Sequence, residues 1–430
     1  MMARWADAEA AGGPFPPDAL GSSVAFKLMR RRLLLAVLFA TAVMSIAPWH
    51  GAIATFRGDN GGIAFASRRS GGDFDIVVRA PDGSMTVLTD GPGLDLDPVW
   101  SPDGSRIAWA SDALATAAEI WVMDADGSNK ARLTTNPGTD TSPAWSPDGT
   151  KIVFISGLNV WVMDADGSDQ TQLTSTPRLA ELSPSWSPDG RTIAFTATAD
   201  GVASDIFTMT SKGTARTNLT RSAAEDGGAS WSPTGTKIAF SRGSETNAEI
   251  WTMQADGSGQ RRLTQNDSRD QSPVWSPDGS RIAFVNDADG DFDIWTMLPD
   301  GSDPTKLTDD GRSDFGPDWQ PACTHLGTNG DDVLTGTPGA DLICGLGGSD
   351  TLSGAGGFDV IFGADGNDTL RGGPDGDVVV GGTGNDFVGG GGGRDLLNAI
   401  DGLEGNDMVN GGPGVDRCPV DSSDARTRCP

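Results

Sequence analysis

Six tryptophans recur along the middle of the chain at nearly equal intervals, and this spacing restricts the possible folds more than any other feature. Each belongs to a repeat of four short pieces: a P-x-W-like segment, an I-A-F-like segment, a D/E-I-W-like segment and a closing Leu-Thr. The pieces are rich in β-branched and aromatic residues, and turns such as Ser146-Pro147-Asp148-Gly149 separate them, so each repeat predicts four antiparallel strands. The tryptophans, separated by 45, 41, 45, 44 and 44 residues, are Trp100, Trp145, Trp186, Trp231, Trp275 and Trp319.

A four-stranded repeat of this length is typical of a β-propeller blade. The I-A-F-like and Leu-Thr pieces each occur six times, but the first copy lacks its P-x-W strand, and the last P-x-W, Pro317 to Trp319, lacks the other three pieces. Joined, the two incomplete copies form a sixth blade that closes the ring without an open sheet edge. The sequence therefore predicts an all-β fold with a six-bladed propeller over residues 55–321, in which the tryptophans fill the core.

The W-S-P-D-G, I-A-F, I-W-x-M-x-A-D-G and L-T elements resemble the repeats of TolB-like propellers, also described as WD40-like Pro-Asp repeats. The resemblance implies that the P-x-W strand is the innermost strand of each blade. It also implies a tendency to bind other proteins.

One position of the repeat, five residues before each tryptophan, carries a carboxylate in all six copies. If the innermost strand begins there, these side chains surround one mouth of the channel, where like charges repel unless a metal ion or a basic segment of a partner docks. The alternative is that each carboxylate caps its own loop by accepting backbone N–H bonds, and the two roles can coexist. The six residues of this carboxylate ring are Asp95, Asp140, Glu181, Asp226, Asp270 and Asp314.

After Pro321 the repeat length changes to nine residues. Copies such as Gly345 to Ser353 and Gly381 to Gly389 follow the pattern G-G-x-G-x-D-x-U-x, in which U is a large apolar residue, and three extra residues around Ala399 to Asp401 shift the frame. The pattern resembles the calcium-binding nonapeptides of the RTX, or haemolysin-type, β-roll. The resemblance implies several Ca²⁺ ions held by the sixth-position aspartates, which are Asp332, Asp341, Asp350, Asp359, Asp368, Asp377, Asp386, Asp395, Asp407 and Asp416.

The physical chemistry of the nonapeptide supports the same reading. Glycines permit tight turns and leave carbonyl oxygens accessible, aspartate is a hard anionic ligand, and U residues such as Leu352 and Leu370 would fill the interior. If two copies form one coil of a parallel β-roll, aspartates two copies apart stack at ~5 Å and repel by about 0.8 kcal/mol per pair even in water. We therefore expect the roll, residues 322–430, to stay largely unfolded without a divalent cation; strict register argues against the alternative of a disordered glycine-rich tail.

The N-terminal residues 1–54 have the form of an extension followed by a secretory signal peptide. Arg30 to Arg32 precede an apolar run from Leu33 to Ala47, and the small-x-small triplet ending at Ala54 predicts cleavage after that residue. The run is short for a bilayer span of ~20 residues, so we expect contact with a membrane only through the transient signal peptide. The predicted location is extracellular, periplasmic or at the cell surface.

Four cysteines accompany this predicted export to an oxidising compartment, where they could form disulfides. Sequence proximity favours the pairs Cys323 with Cys344 and Cys418 with Cys429. Connectivity is otherwise open, since four cysteines allow three pairings.

The net charge of −28 disfavours nucleic acid and anionic membranes as partners and leaves cations and basic proteins. The chain has only two histidines, His50 and His325, and no G-x-S-x-G motif, so no catalytic constellation is recognisable. We expect a secreted, non-enzymatic calcium-binding protein whose propeller is an interaction platform for an unknown protein or a polymer of the envelope or surface. The alternatives are a calcium-dependent propeller enzyme of the lyase, lactonase or hydrolase type, and a structural cell-surface spacer.

Overall fold

The computed structural model describes residues 58–69, 72–113, 117–136, 138–176, 179–199, 203–244, 246–401 and 406–429. The predicted signal peptide and its cleavage point lie outside these residues. All regular elements in the described ranges are β-strands, which confirms the predicted all-β class. Within the same ranges, no helix is long and apolar enough to cross a membrane.

Six four-stranded antiparallel sheets form the blades of a propeller. Blade one joins the last strand of this region to its first three strands, and blades two to six each use four consecutive strands. In chain order the strands are β1 (Asp59–Arg68), β2 (Phe74–Arg79), β3 (Met85–Val87), β4 (Asp95–Trp100), β5 (Arg106–Ser111), β6 (Glu119–Asp124), β7 (Ala131–Arg132), β8 (Asp140–Trp145), β9 (Lys151–Ser156), β10 (Asn159–Asp164), β11 (Thr171–Gln172), β12 (Leu179–Trp186), β13 (Thr192–Ala199), β14 (Asp205–Thr210), β15 (Thr217–Asn218), β16 (Glu225–Trp231), β17 (Lys237–Ser244), β18 (Asn247–Gln254), β19 (Arg261–Arg262), β20 (Asp270–Trp275), β21 (Ile282–Asn286), β22 (Asp293–Met297), β23 (Thr305–Lys306) and β24 (Asp314–Ala322).

The ring closes through blade one, as the two incomplete repeats predict. Strand β24 pairs antiparallel with β1 from Asp59 opposite Ala322 to Ser67 opposite Asp314. The amide N–H of Trp100 in blade two donates to the carboxylate of Asp318 in β24 over 2.6 Å, which ties the closing strand to the next blade.

The P-x-W strands occupy the centre of the ring. Each lies at one edge of its sheet, and each contacts the P-x-W strands of both neighbouring blades, from β24 through β4, β8, β12, β16 and β20 back to β24. The blade tryptophans pack between sheets, where Trp100 and Trp145 are fully buried and Trp319 is half-buried. This arrangement agrees with their predicted role in the core.

Two parallel sheets follow and form the roll. One sheet has the order β25-β27-β29-β31-β33 and the other β26-β28-β30-β32-β34-β35. The strands are β25 (His325–Leu326), β26 (Val333–Thr335), β27 (Leu342–Gly347), β28 (Thr351–Ser353), β29 (Val360–Asp365), β30 (Thr369–Gly373), β31 (Val378–Thr383), β32 (Phe387–Gly391), β33 (Leu396–Asn398), β34 (Met408–Asn410) and β35 (Ala425–Thr427).

The register of the roll shows that two nonapeptides make one coil. Leu352 lies beside Leu370, 18 residues later, and the interval grows to 21 at Val388 and Val409, because three residues are inserted between them. The U residues form the interior as predicted. Those of this core with no exposed surface are Ile343, Leu352, Ile361, Leu370, Val379, Val388, Leu397 and Val409.

Two disulfides lie at the ends of the roll. Cys323 is bonded to Cys344, and Cys418 is bonded to Cys429. These are the pairs that sequence proximity favours. The first joins the segment after β24 to β27, and the second joins the last described residues to the coil before them.

Candidate calcium sites

The sixth-position aspartates of the roll form two ladders, one for each alternate nonapeptide. In eight consecutive steps, Oδ1 of an aspartate accepts the backbone N–H of the aspartate one coil earlier, over 2.8 to 3.1 Å. Asp332, at the start, is half-exposed. The other nine are at most 5% exposed. One oxygen of each carboxylate from Asp350 onward is therefore committed to the roll's own backbone.

The second carboxylate oxygen is differently placed. Among the described residues, seven of these aspartates have a buried Oδ2 atom without a hydrogen-bond partner. Burying an unpaired carboxylate oxygen is costly unless a cation binds it. The seven are Asp350, Asp368, Asp377, Asp386, Asp395, Asp407 and Asp416.

Six of these oxygens, all but that of Asp407, face a cradle above the first glycine of their nonapeptide. A Cβ added at Gly345 would lie within 3.0 Å of both Asp350 Oδ2 and the carbonyl oxygen of Gly363, closer than real Cβ atoms come to other heavy atoms. The same pair of oxygens, carboxylate and next-coil glycine carbonyl, converges above Gly354, Gly363 and Gly372. Carboxylate and carbonyl oxygens are the ligands that Ca²⁺ prefers, so the residues present fit this ion.

The first coil differs from the later ones. Thr337 replaces a turn glycine, and both its backbone N–H (2.6 Å) and its hydroxyl (2.9 Å) donate to Asp341 Oδ2. Thr328 makes the same two bonds, of 2.6 and 2.8 Å, to Asp332 Oδ2. The predicted ligands Asp332 and Asp341 thus have protein donors to Oδ2, which the seven aspartates named above do not have.

Burial also shifts the proton affinity of the ladder. It raises the pKa of Asp377 to about 8, that of Asp386 to about 7 and that of Asp395 to about 6, and the carboxylates of adjacent coils add to each effect. The charged form of these groups is therefore disfavoured in the metal-free fold. A bound divalent cation would reverse this preference.

The six carboxylates of the propeller ring lie at or near the start of the inner strands, but they are buried: Asp95 is 6% exposed and the others at most 1%. Arg242 donates two bonds, of 2.6 and 2.8 Å, to Asp226. Asp95 accepts from the indole N–H of Trp109 at 3.1 Å, and Asp140 accepts from Asn136 at 2.6 Å. Binding of an ion or a basic segment by this ring stays a prediction.

The donors to the ring are mostly side chains, whereas the alternative prediction was capping by backbone N–H groups. Glu181 combines both kinds. It accepts from the hydroxyls of Thr174 and Thr176, from Arg216 Nη1 at 2.6 Å and from the backbone N–H of Val160 at 3.3 Å. The ring therefore bonds each inner strand to side chains of its own blade or of the preceding one.

A second acidic series, not singled out from the sequence, accompanies the ring. In all six blades, the hydroxyl oxygen of the Leu-Thr threonine accepts a bond from the backbone N–H of the first apolar residue in the D/E-I-W strand, at 2.8 to 3.0 Å. The same hydroxyl donates to the acidic residue that directly precedes this apolar residue, as Thr134 does to Glu119 and Thr264 to Glu249. The sequence signal that could have identified this series is the acidic residue that recurs at the start of the D/E-I-W piece, at Asp75, Glu119, Asp205, Glu249 and Asp293.

Blade three shows how the two series substitute for each other. Asn159 stands where the other blades have an acidic residue. There the threonine hydroxyl of Thr174 donates to Glu181 instead. Glu181 is also the one ring member with the longer glutamate side chain, which gives it the reach to that threonine.

The buried ring makes the stability of the propeller depend on pH. Burial raises the pKa of Asp314 to about 7 and that of Asp270 to about 6, whereas both titrate near about 4 in an unfolded chain. Between about pH 4 and pH 7 the folded state therefore binds more protons than the unfolded chain. The contribution of these two groups to folding stability is complete below about pH 4 and is lost as the pH rises through 6 to 7. We expect the thermal unfolding midpoint, followed by tryptophan fluorescence, to fall by several degrees between about pH 5 and pH 8, and Asp314→Asn to reduce that fall. Equal slopes for the two proteins would contradict the assignment to Asp314.

Two family models match the chain. The model described as TolB beta propeller domain matches residues 157–327. The model described as RTX calcium-binding nonapeptide repeat (4 copies) matches residues 326–361, 362–397 and 398–418. No curated protein sequence matches the chain.

Solved structures agree with the fold of the first region. TolB from Acinetobacter baumannii superposes with a TM-score of 0.53 and 21% identity, covering 61% of this chain and 67% of that chain. Hydrazine synthase from Kuenenia stuttgartiensis superposes with a TM-score of 0.54 and 17% identity, covering 62% of this chain and 47% of that chain. At these identities the likeness shows a shared propeller fold and nothing about activity.

Proposed function

Because the chain joins a TolB propeller domain to RTX calcium-binding repeats, we propose that it is a secreted protein that binds several calcium ions in its roll and a partner on its propeller. The observation that carries the calcium part is the row of buried Oδ2 atoms, which above Gly345, Gly363 and Gly372 face the glycine carbonyl of the next coil. Bound calcium would supply the positive charge that these carboxylates lack. The chain's own residues already hold each carboxylate in place through Oδ1.

We place the ions from the second coil onward. The proposed ligands there are the Oδ2 atoms, together with the next-coil glycine carbonyl above Gly345, Gly363 and Gly372, and Asp359 shares this geometry above Gly354. Asp332 and Asp341 are weaker candidates, because threonine donors bind their Oδ2 atoms. The number of ions is therefore expected to be smaller than the number of aspartates.

We propose an extracellular or periplasmic location. The predicted signal peptide supports it, and so do the two disulfides, since disulfides persist in oxidising compartments and are rare in the cytosol. They join Cys323 to Cys344 and Cys418 to Cys429.

We propose that the partner, a protein or a polymer of the envelope or surface, binds the end of the propeller at which the inner strands begin. The loops of blade six at this end are acidic: the carboxylates of Asp289, Asp291 and Asp293 lie within 4.8 Å of one another, and Asp309 is 81% exposed. Lys306 contacts Asp289, Asp293 and Asp309, at 2.5 to 2.9 Å. An excess of carboxylates on a strongly acidic chain favours a basic partner surface, and we propose binding without catalysis.

Capture from envelope and medium fractions tests the partner role. The variant Asp289→Asn/Asp291→Asn/Asp309→Asn removes three charges from this end, and the control Asp126→Asn/Asp166→Asn/Asp256→Asn removes three from turns at the opposite end. We expect the first variant to lose capture at least about fivefold, in the range of coupling by rim and surface charges, and the control to retain it. Equal capture by both variants would contradict binding at this end, and no capture by the wild-type protein, with or without chelator, would favour the spacer alternative.

A further inference from the structure

The two sheets of the roll have different outer faces. In the sheet of β27, β29, β31 and β33, the residue after each ladder aspartate is apolar and at most 4% exposed. In the other sheet, the equivalent residues include Val333 at 78% exposed, Met408 at 52% and the exposed Thr351. We call the first set the docked face, and it consists of Leu342, Val360, Val378 and Leu396.

The propeller covers both ends of the docked face. A methyl carbon of Leu342 lies 2.8 Å from the position of a Cβ at Gly58, beside Ala322 at the end of β24 in blade one. A methyl carbon of Leu396 lies 3.1 Å from the position of a Cβ at Gly190, the last residue of the S-P-D-G turn of blade four. Both glycines leave space that the roll occupies.

Polar bonds hold the second contact. The guanidinium of Arg417 in the roll donates to the carbonyl oxygen of Gly190 at 3.0 Å. In return, the guanidinium of Arg191 in the propeller donates to the carbonyl oxygen of Val415 at 2.9 Å. Arg191 also lies near Asp395 and Asp416, two aspartates of the calcium ladder. The last coil is therefore tied to the propeller on both sides.

The order of the blades shows where the roll lies. The ring runs from blade one through blades two and three to blade four, so in a six-bladed ring blades one and four are opposite. The docked face crosses from one to the other over three strand intervals, ~14 Å. In blades two to six the P-x-W strand runs from its ring carboxylate to an S-P-D-G turn, which is S-P-T-G in blade five. The roll therefore lies across the S-P-D-G end of the channel, and the carboxylates mark the opposite end.

We infer that the roll is a calcium-dependent cap on the S-P-D-G end of the propeller channel, which leaves the carboxylate end as the open one. This inference rests on the proposed binding of calcium by the roll. Calcium folds the coils, the folded coils present the docked face, and docking stabilises both parts. Because coupling between two equilibria is reciprocal, calcium that binds only the roll must also stabilise the propeller.

The sequence supplies separate readouts for the two parts. Eleven of the thirteen tryptophans lie in the propeller and none lies in the roll. Tryptophan fluorescence therefore reports the propeller, while calcium-dependent circular dichroism reports the roll. The test variant Val378→Thr/Leu396→Thr gives the docked face the threonine found at Thr351 and Thr369. The matched control, Phe387→Thr/Met408→Thr, changes the equivalent positions of the exposed sheet.

We expect calcium to raise the unfolding midpoint of the wild-type propeller. The docked-face variant should lose most of that rise and need about tenfold more calcium to fold the roll, a typical coupling between sites. The control should keep both properties. Amide exchange of the Ser187 to Gly190 turn should increase in wild type when calcium is chelated.

A roll that folds with calcium while the wild-type propeller midpoint stays unchanged would overturn the cap and leave calcium binding intact. A roll that shows no response to calcium would instead refute the proposed function. If the docked-face variant does not fold, Arg191→Ala tests the same coupling from the propeller side. It should reduce the calcium-dependent rise of the propeller midpoint, and an undiminished rise would count against the cap.

Discussion

Removal of calcium from the intact protein is expected to unfold the roll and leave the propeller folded at room temperature. The eight stacked steps of the aspartate ladders place like charges at strand spacing, ~5 Å. With every carboxylate charged, their repulsion, at about 0.8 kcal/mol per step in water, sums to on the order of 6 kcal/mol. That is comparable to the whole stability of a domain, ~5 to 15 kcal/mol, before the cost of the buried unpaired oxygens is added. The raised pKa values of Asp377 and Asp386 mean that part of this cost is met by protonation of the metal-free fold.

The measurement is far-ultraviolet circular dichroism during chelation and readdition of calcium, with tryptophan fluorescence recorded in parallel. We expect most of the β signal of residues 326–429 to disappear and return, while the fluorescence of the propeller changes little. Magnesium at the same concentration is the control, and it should restore less structure, because it demands six ligands in near-ideal octahedral geometry. An unchanged spectrum of protein shown to be metal-free would refute the expectation.

The propeller could be predicted from the sequence because the number of each repeat piece determines the number of blades and how the ring closes. Six I-A-F-like pieces and six Leu-Thr pieces, with one P-x-W segment displaced to the end, leave a single way to complete the ring, and the pairing of β24 with β1 follows from it. The interior of the roll was predictable for a similar reason. An apolar residue two positions after each aspartate, such as Leu352 or Leu370, can only face inward in a coil of two nonapeptides.

The environment of the propeller ring could not be derived in this way. The repeat places the carboxylates at one level of the inner strands, but their burial depends on donors that differ from blade to blade. Arg242 serves Asp226, whereas Trp109 serves Asp95. These two donors occupy different positions of the repeat, so comparing the copies gives no signal for them. The exception is an asparagine four residues before the ring carboxylate, which bonds Asp140 from Asn136 and Asp270 from Asn266.

The docked face has a sequence signal that is visible only when alternate nonapeptides are compared separately, and not when all ten are compared together. Treated separately, alternate copies differ: Leu342, Val360, Val378 and Leu396 are all apolar, whereas the intervening copies include Thr351 and Thr369. A stripe that repeats every 18 residues on one outer face indicates a covered surface. Its cover could not be predicted, since the contact of Leu396 with Gly190 joins residues from two repeats of unrelated period.

The cradle geometry leads to the second large expected effect, from Gly363→Ala. The added Cβ would lie within 3.0 Å of both Asp368 Oδ2 and the carbonyl oxygen of Gly381, the two oxygens proposed to bind one ion. The backbone of Gly363 is outside the left-handed region, so the effect comes from the added Cβ, which must displace the Gly381 carbonyl and the Asp368 carboxylate. We expect the calcium concentration at half-folding to rise by at least about tenfold, because the affinity of oxygen sites depends on ligand number and geometry.

Gly339→Ala is the matched control for this change. Gly339 lies in the same array, and a Cβ there would meet only the hydroxyl of Thr337 at an ordinary 3.4 Å, away from any ladder carboxylate. Both variants should reach the wild-type spectrum at saturating calcium, so that the difference between them lies in affinity and not in the ability to fold. If Gly363→Ala and Gly339→Ala require the same calcium concentration, the ion does not bind above the first glycine, and the buried Oδ2 atoms need another explanation.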